Sequence, residues 1–286
     1  MDEHKIDYRP WVVVRGAGDL ATGVILRLHN CGFKVLATEC KCPSAIRRKA
    51  AFCEAVWQGT ATVEGVTCRC IGTTQEAAAV EAAGEIPLLV DETGEDAIRG
   101  LQPSALVDAI LAKRNIGTHR AMAPITVGMG PGFTAKVDVD CVIETMRGHN
   151  LGRLIWDGAA LPNTGVPGLV AGHADDRVIH SPAKGPMHFV DGPDGKKVDI
   201  GAVVTKGQVI GMVGDTPVIA TMDGVLRGLI RENFPVTLGL KMADIDARME
   251  QVNNCDTISD KARNIAGGVV EALLTLARQR RIHLLP

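Results

Sequence analysis

The stretch Trp11-Val12-Val13-Val14-Arg15-Gly16-Ala17-Gly18-Asp19-Leu20-Ala21-Thr22-Gly23 carries an apolar run into a glycine turn, and a second apolar run ends at Glu39, 21 residues past Gly18. This is the strand, glycine turn, helix, strand, acid order of a dinucleotide-binding unit, and each part has a mechanical reason. Gly16 allows the tight turn. Gly18 lets backbone approach a pyrophosphate, and Ala21, in the place of a third glycine, lets the helix lie close on the strand. The helix starting at Asp19 and Leu20 offers N–H groups and a positive dipole end to phosphate. Gly16, Gly18, Asp19 and Leu20 are thus candidate cofactor-binding residues, with Glu39 accepting a ribose hydroxyl. The alternative is a strand–helix turn that binds nothing.

Composition bounds the function classes. The 286 residues are enough for two domains with real cores. A net charge of −2 and 3% aromatic residues leave neither an electrostatic footprint nor stacking platforms for nucleic acid. No run of about 20 apolar residues exists, and Met1-Asp2-Glu3-His4-Lys5 has no signal-peptide core. The expectation is a cytoplasmic protein with no membrane segment, whose eight cysteines are free thiols. Cys40-Lys41-Cys42 and Cys68-Arg69-Cys70 lack C-x-x-C spacing. The two pairs could together supply four thiolates to a soft metal, or handle sulfur; as alternate strand residues, Cys68 and Cys70 read instead as small core side chains, and no metal site is assigned. Cys40 and Cys42 lie at the carboxyl end of a strand, where ligands bind in open α/β sheets.

The α/β rhythm continues through an expected helix over 45–57, carrying Arg47, Arg48 and Lys49 where they would face an anion, or else solvent. A helix over 73–83 and strands over 86–91 and 106–111 follow. Gly128-Met129-Gly130-Pro131-Gly132-Phe133 is a second glycine turn. Gly128, Gly130 and Gly132 are candidates for a second anion cradle, or for a crowded turn. After a strand over 137–145, Arg147-Gly148-His149-Asn150-Leu151-Gly152-Arg153 crowds polar groups into one loop. Arg147 and Asn150 are cofactor-binding candidates. His149 suits proton transfer or a structural hydrogen bond. Asn163-Thr164-Gly165-Val166-Pro167-Gly168 has the turn chemistry of a linker or flap.

From about Arg177 short strands and glycines take over, with an internal repeat. Val204-Thr205-Lys206-Gly207 recurs as Val236-Thr237-Leu238-Gly239 at an offset of 32. Two such halves resemble a barrel-sandwich (biotinyl/lipoyl-like) fold. Its carrier lysine is missing from the turn Gly214-Asp215-Thr216-Pro217, which disfavours a swinging arm and leaves packing, homodimer contact or docking. Ile258, Ala262, Ile265, Val269, Leu273 and Leu276 form the stripe of an amphipathic C-terminal helix, with Thr257 and Asp260 as a capping box. The expected architecture is α/β: a Rossmann-like parallel-sheet domain over 1–172, an all-β barrel-sandwich module over 173–250, and a helix within 251–286 returning to the first domain.

With these motifs in order (V-V-x-R-G-A-G-D-L-A-T-G at 12–23, A-I-R-R at 45–48, G-M-G-P-G-F at 128–133, R-G-H-N-L-G-R at 147–153, N-T-G at 163–165) the chain resembles the YqeB-type proteins of the selenium-dependent molybdenum hydroxylase system. Its N-terminal half is similar to the Rossmann-like domain of the XdhC accessory proteins. The resemblance implies a maturation factor whose partner is a molybdenum hydroxylase apo-enzyme. Such a factor would bind a nucleotide, NAD(P)-like, or a molybdopterin dinucleotide for modification or insertion. The alternative is an enzyme of sulfur or selenium transfer, or of dinucleotide redox chemistry, with Cys40 or Cys42 attacking as thiolates. A third reading is a docking chaperone without a small ligand. Cys40 and Cys42 fall outside the motifs that carry the resemblance.

Overall fold

The computed structural model describes residues 9–165, 172–173, 175–193 and 195–285. Met1–Lys5, and Val166, Pro167 and Gly168 of the turn-rich segment, lie outside the described residues. The chain forms two compact units, one of Met1–Pro43, Ala51–Asn163 and Ile258–Pro286, the other of Ser44–Ala50 and Thr164–Thr257. The sequence division at 172/173 thus differs from the observed one, which comes at 163/164. The all-β unit also recruits seven residues from the N-terminal half.

The first unit is built on β1 (Arg9–Arg15), α1 (Asp19–Asn30), β2 (Lys34–Glu39), α2 (Ala55–Gln58), β3 (Thr60–Val63), β4 (Val66–Ile71), α3 (Ala77–Ala82), β5 (Ile86–Val90), α4 (Glu95–Leu101), β6 (Pro103–Asp108), β7 (Ile125–Met129), β8 (Thr134–Ala135), β9 (Cys141–Ile143), β10 (Leu154–Ile155) and β11 (Gly158–Ala159). Nine strands make one sheet in the order β10-β9-β7-β6-β1-β2-β5-β4-β3, parallel throughout except for the edge strands β10 and β3. Val12, Val13 and Val14 are all fully buried, as a parallel strand covered on both faces requires. The chain leaves β1 through α1 to β2 on one side and later returns to lay β6 and β7 on the other. Strand order therefore reverses at β1, beside the carboxyl ends of β1 and β6.

The C-terminal helix α5 (Asp260–Arg280) packs on α1, β7 and β9 of this unit. All six positions of its expected stripe are buried. Gly23 makes the close approach: a Cβ there would stand 2.8 Å from the Cβ of Ala262. The N-cap is Ser259, whose hydroxyl accepts from Ala262 N at 3.2 Å, rather than Thr257; Asp260 instead ion-pairs with Arg147 at 3.0 Å. Two strands are shorter than the apolar runs suggest. β6 stops at Asp108 because Leu111 and Lys113 take positive φ. β9 covers only Cys141–Ile143 because Lys136 at φ +69 and Asp138, accepting from Thr134 N, form a turn.

The second unit contains β12 (Val178–His180), β13 (Gly185–His188), β14 (Val203–Val204), β15 (Val209–Val213), β16 (Thr216–Ile219), β17 (Gly224–Leu229), β18 (Pro235–Val236) and β19 (Lys241–Asp246). These form two antiparallel four-stranded sheets, β12-β19-β17-β14 and β16-β15-β13-β18. Exchanging each strand with the one four places away in the chain turns one sheet order into the other. The repeat read in the sequence sits at matching points: Val204 pairs with Gly224 and Val236 with Gly185. Gly207 N donates to Ala220 O, and Gly239 N to Ser181 O, both at 2.9 Å. Met187, Ile210, Val225, Leu226 and Met242 fill the core.

The segment 45–57 is not one helix. It forms short 3-10 turns over Arg48–Ala50 and Phe52–Glu54 followed by α2, with Ala51 extended between them. Within the second unit Ile46 O accepts from Leu229 N at 2.9 Å, so its backbone serves as a pairing edge and is unavailable to a helix.

Candidate functional site

The glycine turn joins β1 to α1 at the carboxyl rim where strand order reverses. Gly16, at φ +93, is required twice: by that angle, and because a Cβ would lie 3.0 Å from Ile110 Cα. Thr22 braces the turn from within α1, its hydroxyl donating to Gly18 O at 2.8 Å and accepting from Phe52 N at 2.9 Å. Cys53 N adds a bond to Ala17 O at 2.8 Å. Gly18 is different. Its φ of −65 and ψ of −179 suit any residue, and nothing lies within 4 Å of where its Cβ would be. As the N-cap of α1 it supplies no side-chain acceptor, so the helix starts uncapped by any side chain.

Glu39 reaches this turn from the end of β2. One carboxylate oxygen accepts from Ala17 N and the other from Cys40 N, both at 2.8 Å. A carboxylate has about four acceptor sites, so both oxygens keep capacity for a ribose hydroxyl. The Ala17 amide is thereby already engaged.

Beneath the turn lies a group that the sequence reading passed over. Arg15, 1% exposed, ends β1 and pairs with Asp108 of β6 at 3.3 Å; its guanidinium also donates to Thr118 Oγ1 and, at 3.1 Å, to Glu92 O. Thr118 in turn donates to Asp108 at 2.6 Å. Burial pushes the Asp108 carboxyl above the ordinary range, against the lowering pull of Thr118, the Ile110 amide and Arg15. The Arg15 Nε is buried without a hydrogen-bond partner. The available signal was a charged residue closing each of two apolar runs that become neighbouring strands.

Other candidates serve the fold. Arg47 donates to Asn254 O and Thr257 O at 3.3 and 2.9 Å; Arg48 donates to Leu229 O at 2.7 Å and pairs with Asp199 at 2.5 Å. These guanidiniums are committed to the second unit. Around the second glycine turn the space is filled: a Cβ would lie 2.7 Å from the Phe133 ring at Gly128, 2.6 Å from Thr145 Oγ1 at Gly130 and 2.6 Å from Arg114 Cα at Gly132. Arg147 is held by Asp260, and a Cβ on Gly152 would collide with Asn264 of α5. The 147–153 loop is thereby a docking surface for α5. His149 is exposed, whereas Asn150 and Arg153 line an open cavity of about 420 Å³ with Trp156.

All eight cysteines are free thiols. Burial, reinforced by Glu39, pushes the Cys40 thiol up to about 12, the reverse of what a thiolate nucleophile needs. Cys42 is exposed. Cys68 is buried in β4, and burial also raises its thiol. Among the described residues no group of three or more His, Cys, Asp or Glu side chains is placed to hold a metal ion, and no helix is long and apolar enough to cross a membrane.

No protein-family model matches the chain. It is 46% identical over 268 residues to the uncharacterized protein YqeB of Escherichia coli (strain K12), a match covering 94% of this chain and 48% of that protein. The chain thus spans about half the length of this relative, and the likeness supports the YqeB family. Among solved structures, the product-bound ectoine utilization protein EutE (DoeB) from Ruegeria pomeroyi aligns with 84% of this chain and 86% of its own, at 12% identity and a TM-score of 0.25. A score that low says nothing about the fold of this chain.

Proposed function

We propose, from the premise of a YqeB-like chain, that this protein is an accessory factor for selenium-dependent molybdenum hydroxylases. In this reading it holds a nucleotide or molybdopterin-dinucleotide cofactor at the glycine turn for modification or insertion. The first unit is then a Rossmann-like domain and the second a barrel-sandwich module without a carrier lysine.

The observation that carries the proposal is Gly18. Neither backbone angle nor packing calls for glycine there, and the site opens beside an uncapped helix start at the carboxyl rim where strand order reverses. The amides of Gly18, Asp19 and Leu20 meet the phosphate, and Glu39 takes a ribose hydroxyl while keeping its bonds to Ala17 N and Cys40 N. Arg15 and Asp108 hold the turn from below. A thiol-transfer enzyme is the weaker reading, because the surroundings of Cys40 favour the neutral thiol.

The test is mass spectrometry and absorbance of ligand released from protein purified anaerobically with molybdate and selenite supplied, beside Gly18→Asp. Aspartate is a favourable N-cap, so the variant should fold at least as stably, while its charge repels phosphate. A nucleotide or pterin species in the parent and none in the variant is the expected result. The same ligand on both, or none on either, overturns the proposal.

A further inference from the structure

In the basic cluster at 47–49 one cation has no carboxylate partner among the described residues. Arg47 and Arg48 are spent on carbonyls and on Asp199, but Lys49 donates a single hydrogen bond, to Ile200 O at 2.7 Å, and no described carboxylate pairs with it. That bond pins the ammonium to the wall of a cavity of about 530 Å³ within the second unit, a size suited to a small ligand. Lys197 lines the same cavity, with its charge shared with Asp191 at 3.0 Å.

Asp199, the acidic residue among the described residues of the wall, is neutralised from behind. Arg48 pairs with it at 2.5 Å and lies over the Phe189 ring, 5.4 Å from its centroid. The apolar side of the cavity comes from Pro193, Ile200 and Val203, the last 59% exposed. A positively biased cavity with an apolar wall selects an anion attached to a compact apolar body.

We propose that this cavity of the β unit binds a small phosphate- or carboxylate-bearing compound of that kind, with Lys49 as its principal anion contact and Lys197 as the second. This site is independent of the glycine turn.

Isothermal titration of the full chain with phenyl phosphate, benzoate and benzylamine tests it. At least one anion should bind roughly tenfold more tightly than benzylamine, and the stronger anion identifies the phosphate or carboxylate class. Lys49→Gln should weaken that binding roughly tenfold or more, the scale of one charge-assisted hydrogen bond, with partial recovery in Lys49→Arg. Lys197→Gln, which touches nothing buried, should weaken it about two- to fivefold and guards against a folding defect in the first variant. Gly18→Asp should leave it unchanged. Benzylamine binding as well as the anions, indifference to both lysine substitutions, or loss of binding in Gly18→Asp would each overturn the assignment.

Discussion

The two glycine turns of the α/β unit look alike in sequence and do opposite things with their space. Around 128–132 every glycine faces protein: the Phe133 ring, the Thr145 hydroxyl and the Arg114 backbone occupy the volume that side chains would need. Around 16–18 only Gly16 is used in that way, and Gly18 faces nothing within 4 Å. A glycine without a structural demand on it marks the place where something outside the chain can approach. A glycine pressed against its neighbours is accounted for by packing alone. The second turn is thus explained by packing, while the first keeps open the space that the proposed ligand needs, although their composition argues for both.

The strongest way to break this contrast is to remove the floor of the open turn. Asp108→Ala leaves Arg15 buried with an uncompensated charge and should cost about 3–5 kcal/mol in denaturant unfolding. A loss under about 1 kcal/mol would show the pair to be dispensable. Next, Gly132→Ala meets both a φ of +110 and the Arg114 backbone at 2.6 Å. It should cost roughly 2–5 kcal/mol, combining about 1–2 for the left-handed angle with about 1–3 for overpacking. Gly18→Asp, measured alongside, should lie between no change and a gain of about 0.5 kcal/mol. Equal losses at the two positions would erase the distinction between the turns.

The same reasoning extends to the adjacent glycines of α5. A Cβ on Gly268 would stand 2.3 Å from Gly152 O, whereas one on Gly267 meets nothing within 4 Å. Gly268→Ala should therefore lower stability by about 1–3 kcal/mol by prising the 147–153 loop from the helix. Gly267→Ala should raise it by about 0.5–1 kcal/mol through helix propensity. Thermal unfolding of the pair checks the sign, and a matched sign would mean that α5 docks elsewhere.

Much of the fold was legible because it rests on local pattern. The apolar run, glycine turn and amphipathic stretch that open the chain forecast β1, α1 and β2. The stripe from Ile258 to Leu276 forecast α5, and the two copies of the V-T-x-G repeat fall at matching points of the two four-stranded sheets. The errors came where a distant partner overrode local preference. Residues 45–57 read as a helix because alanine and arginine favour one, but Ile46 is taken as a pairing edge by Leu229. In the R-G-H-N-L-G-R loop, dense in polar groups, packing claims two positions: Arg147 faces Asp260, and Gly152 makes room for Asn264, more than 100 residues later in the sequence.

The sequence carries in its local pattern most of the segments that become strands and helices, β1, α1, β2 and α5 among them, since periodicity and glycine placement act over a few residues. It also determined the likeness to YqeB, which lies in ordered motifs. Which glycines of the two turns are filled, where the arginines of 47–48 spend their charge, and that Arg15 meets Asp108 at the strand-order reversal all come from the folded chain. Those outcomes depend on what stands within a few ångströms of a side chain, and those neighbours are brought together by the sheet order and the return of α5.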